Sequence, residues 1–415
     1  MSAVDDNLSH KSSSIFFTKA YIVSEVKKLR EATTDKLHIF IVMFFVSLIM
    51  SIQSPIFTPY AAKIGASSVL IGIMLSVASL ANLTGNLIAG PLVDRFGKKL
   101  FIMLPLFVSG TLFIAHALVS DAASLLILRT LNGFSLAFLI PAALALLSGY
   151  AANSQQQGKN MAVNGILGTI ASIIAPLIGG QLGALIGYAN TYYVIGLALI
   201  LTALYTAYLL KEREVIVKKR RTSRPVNFIQ LLTMPNLYIV FITGFAMMYI
   251  HGVIIYEVPY LTVEKGLSTA TTGQLFSFMG IGTFLSLSLF FINRFNPINR
   301  LIFGLFGMCM SIFALFNALL SLSLALFLLG FFFGIMMPAM ATAVTDAVPS
   351  EGHGRAFGIM SAVYSFGMII SSFVTGIIRD VVSPYFVAFS IGMLVLTVVG
   401  YTWFRGLQSA RDDGY

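Results

Sequence analysis

Charge is scarce in this chain. Only 10% of its 415 residues are Asp, Glu, Lys or Arg, against about a quarter in a soluble domain. That shortage excludes an ordinary soluble fold. Cysteine is nearly absent too: Cys309 stands alone, so neither an intrachain disulfide nor a thiolate metal cluster can form. It sits in an apolar run and reads as a small packing residue. Histidine is sparse, and none stands near a second His or Cys at metal-ligand spacing, so no metal and no cofactor are expected. There is no nucleophile–base pair and no phosphate-binding loop, which argues against an enzyme. Outside short tails there is no polar stretch long enough for a signalling output domain.

What fills the chain is apolar: 57% of residues are hydrophobic. The net charge of +10 would suit nucleic acid, but the basic residues lie in short loops between apolar runs. That is a membrane pattern, and no nucleic-acid partner is expected. Twelve apolar runs are long enough to cross a bilayer, at about 38–62, 67–93, 99–119, 122–149, 159–184, 187–210, 236–261, 269–293, 299–318, 321–347, 355–378 and 384–404. The expectation is an all-α membrane protein of twelve transmembrane helices in two pseudo-symmetric six-helix bundles.

An even number of spans puts both termini on one side. With the termini inside, 22 of the 26 Lys and Arg fall in inner segments and three in outer ones, with Arg129 inside a span. The bias predicts cytoplasmic termini in a multi-pass protein of the cell membrane. The division reads as a cytoplasmic tail over 1–36, a first bundle over 37–210, a cytoplasmic linker over 211–235, a second bundle over 236–405 and a tail over 406–415. In the first tail, Ile15 to Leu29 reads either as a helix lying on the membrane surface or as a disordered segment. It lacks the long apolar core and cleavage site of a secretory signal peptide.

The halves resemble each other. Pro59-Tyr60 recurs as Pro259-Tyr260, Asp94-Arg95-Phe96 as Asn293-Arg294-Phe295, and Pro141 as Pro338. Three matches in one order at a nearly constant offset of roughly 200 residues argue for a duplicated unit. Parallel repeats place a substrate site near the bilayer midplane, between the halves.

GPLVDRFGKK, Gly90 to Lys99, joins spans two and three. Its Gly90, Leu92, Asp94, Arg95, Gly97, Lys98 and Lys99 resemble the signature loop of the major facilitator superfamily. The resemblance implies a cytoplasmic latch, in which Asp94 faces the N-terminus of span eleven near Gly354; such a carboxylate gains roughly 0.3–1 kcal/mol from the helix dipole. The alternative is that these charges only set topology. In span five, GTIASIIAPLIGG resembles the Gly-Pro signature of antiporter members. Pro176, Gly179 and Gly180 match, as a helix kink and close-contact site, while Ala175 replaces a Gly. This implies export coupled to proton entry.

In span four, Arg129, Asn132 and Gly133 resemble the family's Arg-x-x-Gln-Gly pattern, which implies that Arg129 supports proton transfer. A charge there needs a partner or a wet cavity. Glu257 in span seven falls at similar depth, and the two are expected to approach when the protein is open inward. An interfacial glutamate wetted from outside is the alternative. Asp346 reads as an inner-gate charge. The first span has no acid, unlike many proton-coupled drug exporters. The family plan lines the substrate cavity with spans one, four, seven and ten. That nominates Gln53, Asn132, Tyr249, His251, Tyr256 and Thr342, with Met336, Met337 and Met340 as an adaptable wall. His251 alternatively is a hydrogen-bonded structural residue.

The resulting expectation is a secondary transporter, a monomer, with protons, the lipid bilayer and a small molecule as partners. It exports an amphiphilic drug or metabolite by proton antiport. An uptake symporter of the same superfamily is the nearest alternative, and a non-transporting membrane sensor a distant one.

Overall fold

Apolar side chains drive these segments into hydrocarbon, where every backbone polar group must be satisfied within its own element, and helices result. The structure, a computed structural model, describes residues 34–151, 154–212, 234–348 and 352–412. The surface helix or disordered stretch expected over Ile15 to Leu29, and most of the 211–235 linker, lie outside the described residues.

In chain order the helices are α1 (Thr34–Ile52), α2 (Phe57–Lys63), α3 (Ser68–Phe96), α4 (Leu100–Ala117), α5 (Ala122–Leu136), α6 (Leu139–Gly149) and α7 (Ser154–Ile186). They continue as α8 (Tyr188–Leu209), α9 (Pro235–Glu264), α10 (Thr269–Ser288), α11 (Pro297–Phe316), α12 (Leu322–Ala347), α13 (His353–Ile378) and α14 (Pro384–Asp412). Ser68 at the start of α3 meets Asp380 just after α13, so α1, which leads toward that end, begins and α14, which leaves it, ends on the opposite face, the terminal face. The other is the distal face.

Two of the expected continuous spans are broken, each at proline. Between α1 and α2, Pro55 has no N–H to give, and Ile56 and Phe57 both donate to the Gln53 carbonyl, at 3.1 and 3.0 Å. Between α5 and α6, the Pro141 ring would strike the carbonyl of Ala137, four residues back. The chain tightens there, with Ala137 N donating to Phe134 O at 3.3 Å. Eleven spans among the described residues are long and apolar enough to cross a membrane. The span read as 269–293 is the exception. Its helix, α10, stops at Ser288, a 3-10 turn follows over Phe290–Arg294, and its first turn is Thr-Ala-Thr-Thr.

Local signals repeat across the halves. Ser67 caps α3 and Ser268 caps α10, each accepting a hydrogen bond from the backbone N–H three residues on. Each follows a glycine in the left-handed region, Gly65 at φ 87° and Gly266 at φ 67°, where a side chain would be strained.

Burial separates into two large apolar cores. One gathers residues from Ile39 to Leu210, the other from Leu237 to Val399. Among the described residues, Tyr256 is the one second-half residue fully buried in the first core. Large apolar side chains such as Leu87, Leu185, Phe290 and Val381 point outward, as a lipid-facing surface requires.

The halves touch along two helix pairs, and both pairs are splayed. Near the distal face, a Cβ placed on Gly72 of α3 would lie 2.9 Å from Gly376 Cα of α13. At the other end of the same helices, Gly90 and Gly358 have nothing within 4 Å among the described residues. A Cβ on Gly180 of α7 would lie 3.0 Å from Gly273 Cα of α10, whereas Gly165 and Gly158 of α7 meet nothing within 4 Å among the described residues. The described residues of the two halves are thus pinched together at the distal face and apart at the terminal face.

Candidate functional site: a cavity between the halves

The splay leaves a cavity of ≈ 360 Å³ between the two cores. Gln53 enters from the break after α1, and Arg129, Asn132 and Gly133 from α5. Asn82 and Asn86 come from α3, Met248 and Ile255 from α9, and Ser361, Tyr364 and Ser365 from α13. No aspartate or glutamate among the described residues lines it.

Arg129 is half-buried at this wall. One guanidinium N–H donates to Gln53 Oε1, and the guanidinium lies 4.1 Å from the Phe57 ring centroid, a cation–π contact. Among the described residues its Nε is buried without a partner, as are both amide atoms of Asn132 and the Tyr364 hydroxyl. Asn82 is positioned otherwise, donating to Gly133 O at 3.1 Å.

The expected approach of Arg129 to Glu257 is not what the structure contains. Glu257 Oε1 accepts from Arg379 Nε at 3.1 Å. Arg379 caps the C-terminus of α13 on the distal face and belongs to the same half as Glu257, so it reaches the carboxylate first. Its Nη1 also donates to Glu264 at 3.1 Å, Asp380 lies 3.5 Å away, and the guanidinium stacks 3.6 Å from the Tyr260 centroid. Burial weakens Arg379's hold on its proton, but Glu264 and Glu257 outweigh that and raise its pKa. The arginine therefore stays charged.

This cluster sits on the pinch. Ser68, the first residue of α3, donates its hydroxyl to Asp380 Oδ2 at 3.0 Å, and its carbonyl accepts from the Tyr256 hydroxyl at 2.6 Å. Tyr256 is thus a contact between the halves at the pinch, fully buried, and is not among the residues lining the cavity.

Other expected lining residues are redistributed. Tyr249 is buried in the second-half core, with Met336 and Met340. Thr342 bonds back to Pro338 O at 2.9 Å, on the exposed side of its helix. His251 lines a separate pocket of ≈ 180 Å³ with Ser51, Ser54, Ser172 and Thr283, its ring stacked 5.0 Å from that of Phe333. Periodicity gives the depth of a residue but not which neighbour its face meets. The cavity residues that the sequence reading missed, Asn82 with Asn86 and Ser361 with Tyr364 and Ser365, did carry a signal. They are polar residues at i, i+3 and i+4 within apolar runs, on one helix face.

Pro176 lies inside α7, and its carbonyl packs against Gly273 of the other half. Gly179 packs against the Ile52 carbonyl, just before the break in the first span, and Gly180 against α10. At the terminal face, Asp94 is exposed and makes no hydrogen bond or ion pair among the described residues. Asp346 is likewise exposed. The loop is instead held within its own half. Gly97 turns at φ 100°, and the N–H groups of Lys98 and Lys99 donate to Glu212 at 2.9 and 3.2 Å. Lys99 Nζ donates to Ala207 O at 2.7 Å. Arg95 rests 5.1 Å from the Phe96 ring centroid.

The family model described as Major Facilitator Superfamily matches residues 39–323 and 301–413. The chain belongs to the major facilitator superfamily. It is 26% identical over 386 residues to the multi-drug resistance efflux pump PmrA homolog of Lactococcus lactis subsp. lactis (strain IL1403), covering 87% of this chain and 91% of that one. It is 24% identical over 354 residues to the 4-hydroxybenzoate transporter PcaK of Pseudomonas aeruginosa, covering 75% and 78%. Among solved structures it resembles the nucleoside transporter NupG, with a TM-score of 0.72 at 14% identity over 89% of this chain and 99% of that one. This superfamily member is a multi-pass membrane transporter of small molecules, resembles the drug-efflux branch, and is not an enzyme.

Proposed function

We propose that the protein exports a small amphiphilic organic molecule across the cell membrane by proton antiport, its two six-helix halves rocking about the central cavity. The terminal face is cytoplasmic in this reading, and the protein acts as a monomer. The observation that carries it is the splay: a polar-and-apolar cavity between two separate cores, shut at one face and open at the other. Alternating access requires such a shape, since the cargo must never see both faces at once. The similarity to the PmrA homolog covers more of the chain than that to PcaK, which favours export. Movement in the opposite direction, as an uptake symporter, is the second reading, and the PcaK likeness is its support.

Proton coupling is assigned to Glu257 through Arg379. A proton arriving from outside neutralises Glu257, the pair with Arg379 is lost, and Tyr256 and Asp380 no longer hold Ser68. The distal face then opens. Arg129 keeps its supporting role on the cavity side, and Asp94, on reaching the start of α13, latches the terminal face shut. In proteoliposomes, Glu257→Gln is expected to retain cargo counterflow but to lose acceleration by a pH gradient. Full proton-driven transport by that variant would refute the assignment, and counterflow in inside-out against right-side-out vesicles decides the direction.

A further inference from the structure

We infer that the cargo is an organic anion, with its carboxylate or equivalent held by Arg129. This rests on the reading of the central cavity as the cargo site, and it concerns what that cavity accepts.

A cation inside the membrane needs a counter-charge or water. Arg129 has neither an aspartate nor a glutamate beside it, since the described cavity wall contains none. Glu257, the acid at similar depth in a span, is already committed to Arg379. Arg129's partners are the neutral Gln53 oxygen and the face of Phe57. An arginine carries five N–H donors in a planar fork shaped for two oxygens, and its Nε is buried and unused.

A second, independent observation lies one turn away. Asn132 is 2% exposed, lines the same cavity, and neither of its amide atoms has a partner. The Tyr364 hydroxyl, also in the wall, is unpartnered as well. A guanidinium N–H, an amide N–H and a phenol O–H, on helices of both halves, all lack an acceptor among the described residues. A carboxylate satisfies them together and brings the charge that Arg129 lacks. The rest of the wall, with Met50, Leu75, Leu136, Met248, Ile255 and Met368, is apolar. The cargo is therefore an apolar or aromatic body bearing an anionic head. A cationic cargo would meet Arg129 as a like charge with no acid to offset it.

The test is equilibrium binding to the purified full chain in nanodiscs at pH 7, without any gradient. Three probes of one shape are compared: phenylacetate, phenylacetamide and phenethylammonium. Phenylacetate is expected to bind at least tenfold more tightly than the amide, and the ammonium most weakly. Arg129→Gln is expected to level carboxylate and amide. Gln53→Glu keeps the arginine, gives it an internal counter-ion, and is expected to abolish the preference too, so the test survives if the arginine variant fails to fold. Equal affinities, tighter binding of the ammonium, no binding by any probe, or a carboxylate preference that persists in Gln53→Glu would overturn the inference. Failure of the export reading shows elsewhere, as absence of gradient-driven movement in vesicles, and leaves this binding series interpretable.

Discussion

Tyr256 and Glu212 each hold two distant parts of the chain together through a single side chain. The Tyr256 hydroxyl crosses from the second half to the Ser68 carbonyl of the first. A typical hydrogen bond contributes about 0.5–1.5 kcal/mol net. Tyr256→Phe is therefore expected to shift the gating equilibrium toward distal opening by roughly two- to tenfold. Single-cysteine labelling at the distal face in a Cys309→Ala background measures it, and unchanged labelling would remove Tyr256 from the gate. Glu212 supplies an anion to the N–H groups of Lys98 and Lys99 just before α4, where Lys99 offers no side-chain cap. Losing a cap typically costs about 1 kcal/mol. Glu212→Ala is expected to lower the unfolding temperature by a few degrees, while Lys98→Ala, whose contact is through the backbone, leaves it unchanged. These partners were not legible in the sequence. The signature loop could be recognised, and its charges counted, but a carboxylate beyond α8 gave no sign that it folds back onto residues 98 and 99.

At the scale of elements, hydrophobic runs were highly legible, because hydrocarbon tolerates little besides a helix. The interruptions were less so. Pro55 and Pro141 break their spans while Pro105, Pro176, Pro259 and Pro338 sit inside continuous helices. A single sequence does not display which of its prolines break a span. The break after α1 matters most, since it turns Gln53 onto Arg129. The glycine contacts explain why small residues recur at the crossing points. A Cβ on Gly180 would sit 2.6 Å from the Thr269 carbonyl, closer than van der Waals contact allows. Gly180→Leu is expected to wedge α7 from α10, raise distal accessibility and cut gradient-driven transport by tenfold or more, with normal membrane insertion. Transport at the wild-type rate would show that this contact is not required for closure. Gly90→Ala, in open space, is expected to be mild in the present state and to impair only the state in which the terminal face closes.

For the whole molecule, the sequence carried the class, the signature loop and the doubling, but not the state. Arg129 and Glu257 stand out in the sequence as rare charges within spans. Depth alone pairs them across the halves, because depth is what a run of apolar residues reveals. The structure resolves them into two separate centres, a cation facing the cavity and an ion cluster on the distal pinch. In the proposed function this separation assigns the cargo to one group and the protons to the other. If the cargo is an anion leaving a cell in exchange for an entering proton, both movements carry charge in the same electrical sense. Each charge crossing ~100 mV contributes about 2.3 kcal/mol, so transport is expected to accelerate when a potassium–valinomycin potential, inside negative, is imposed on right-side-out vesicles. A rate indifferent to that potential would contradict the coupled movement.

The most direct test of the rocking account is a pair of distances read together by double electron–electron resonance. One pair of spin labels is placed at Gly90 and Gly358, in the open space of the terminal face. The other is placed at Leu185 and Val381, both exposed near the distal face. On acidification the account predicts that the first distance shortens while the second lengthens, in the same population and with the same midpoint. Both distances moving in the same direction, or neither moving while transport continues, would contradict it.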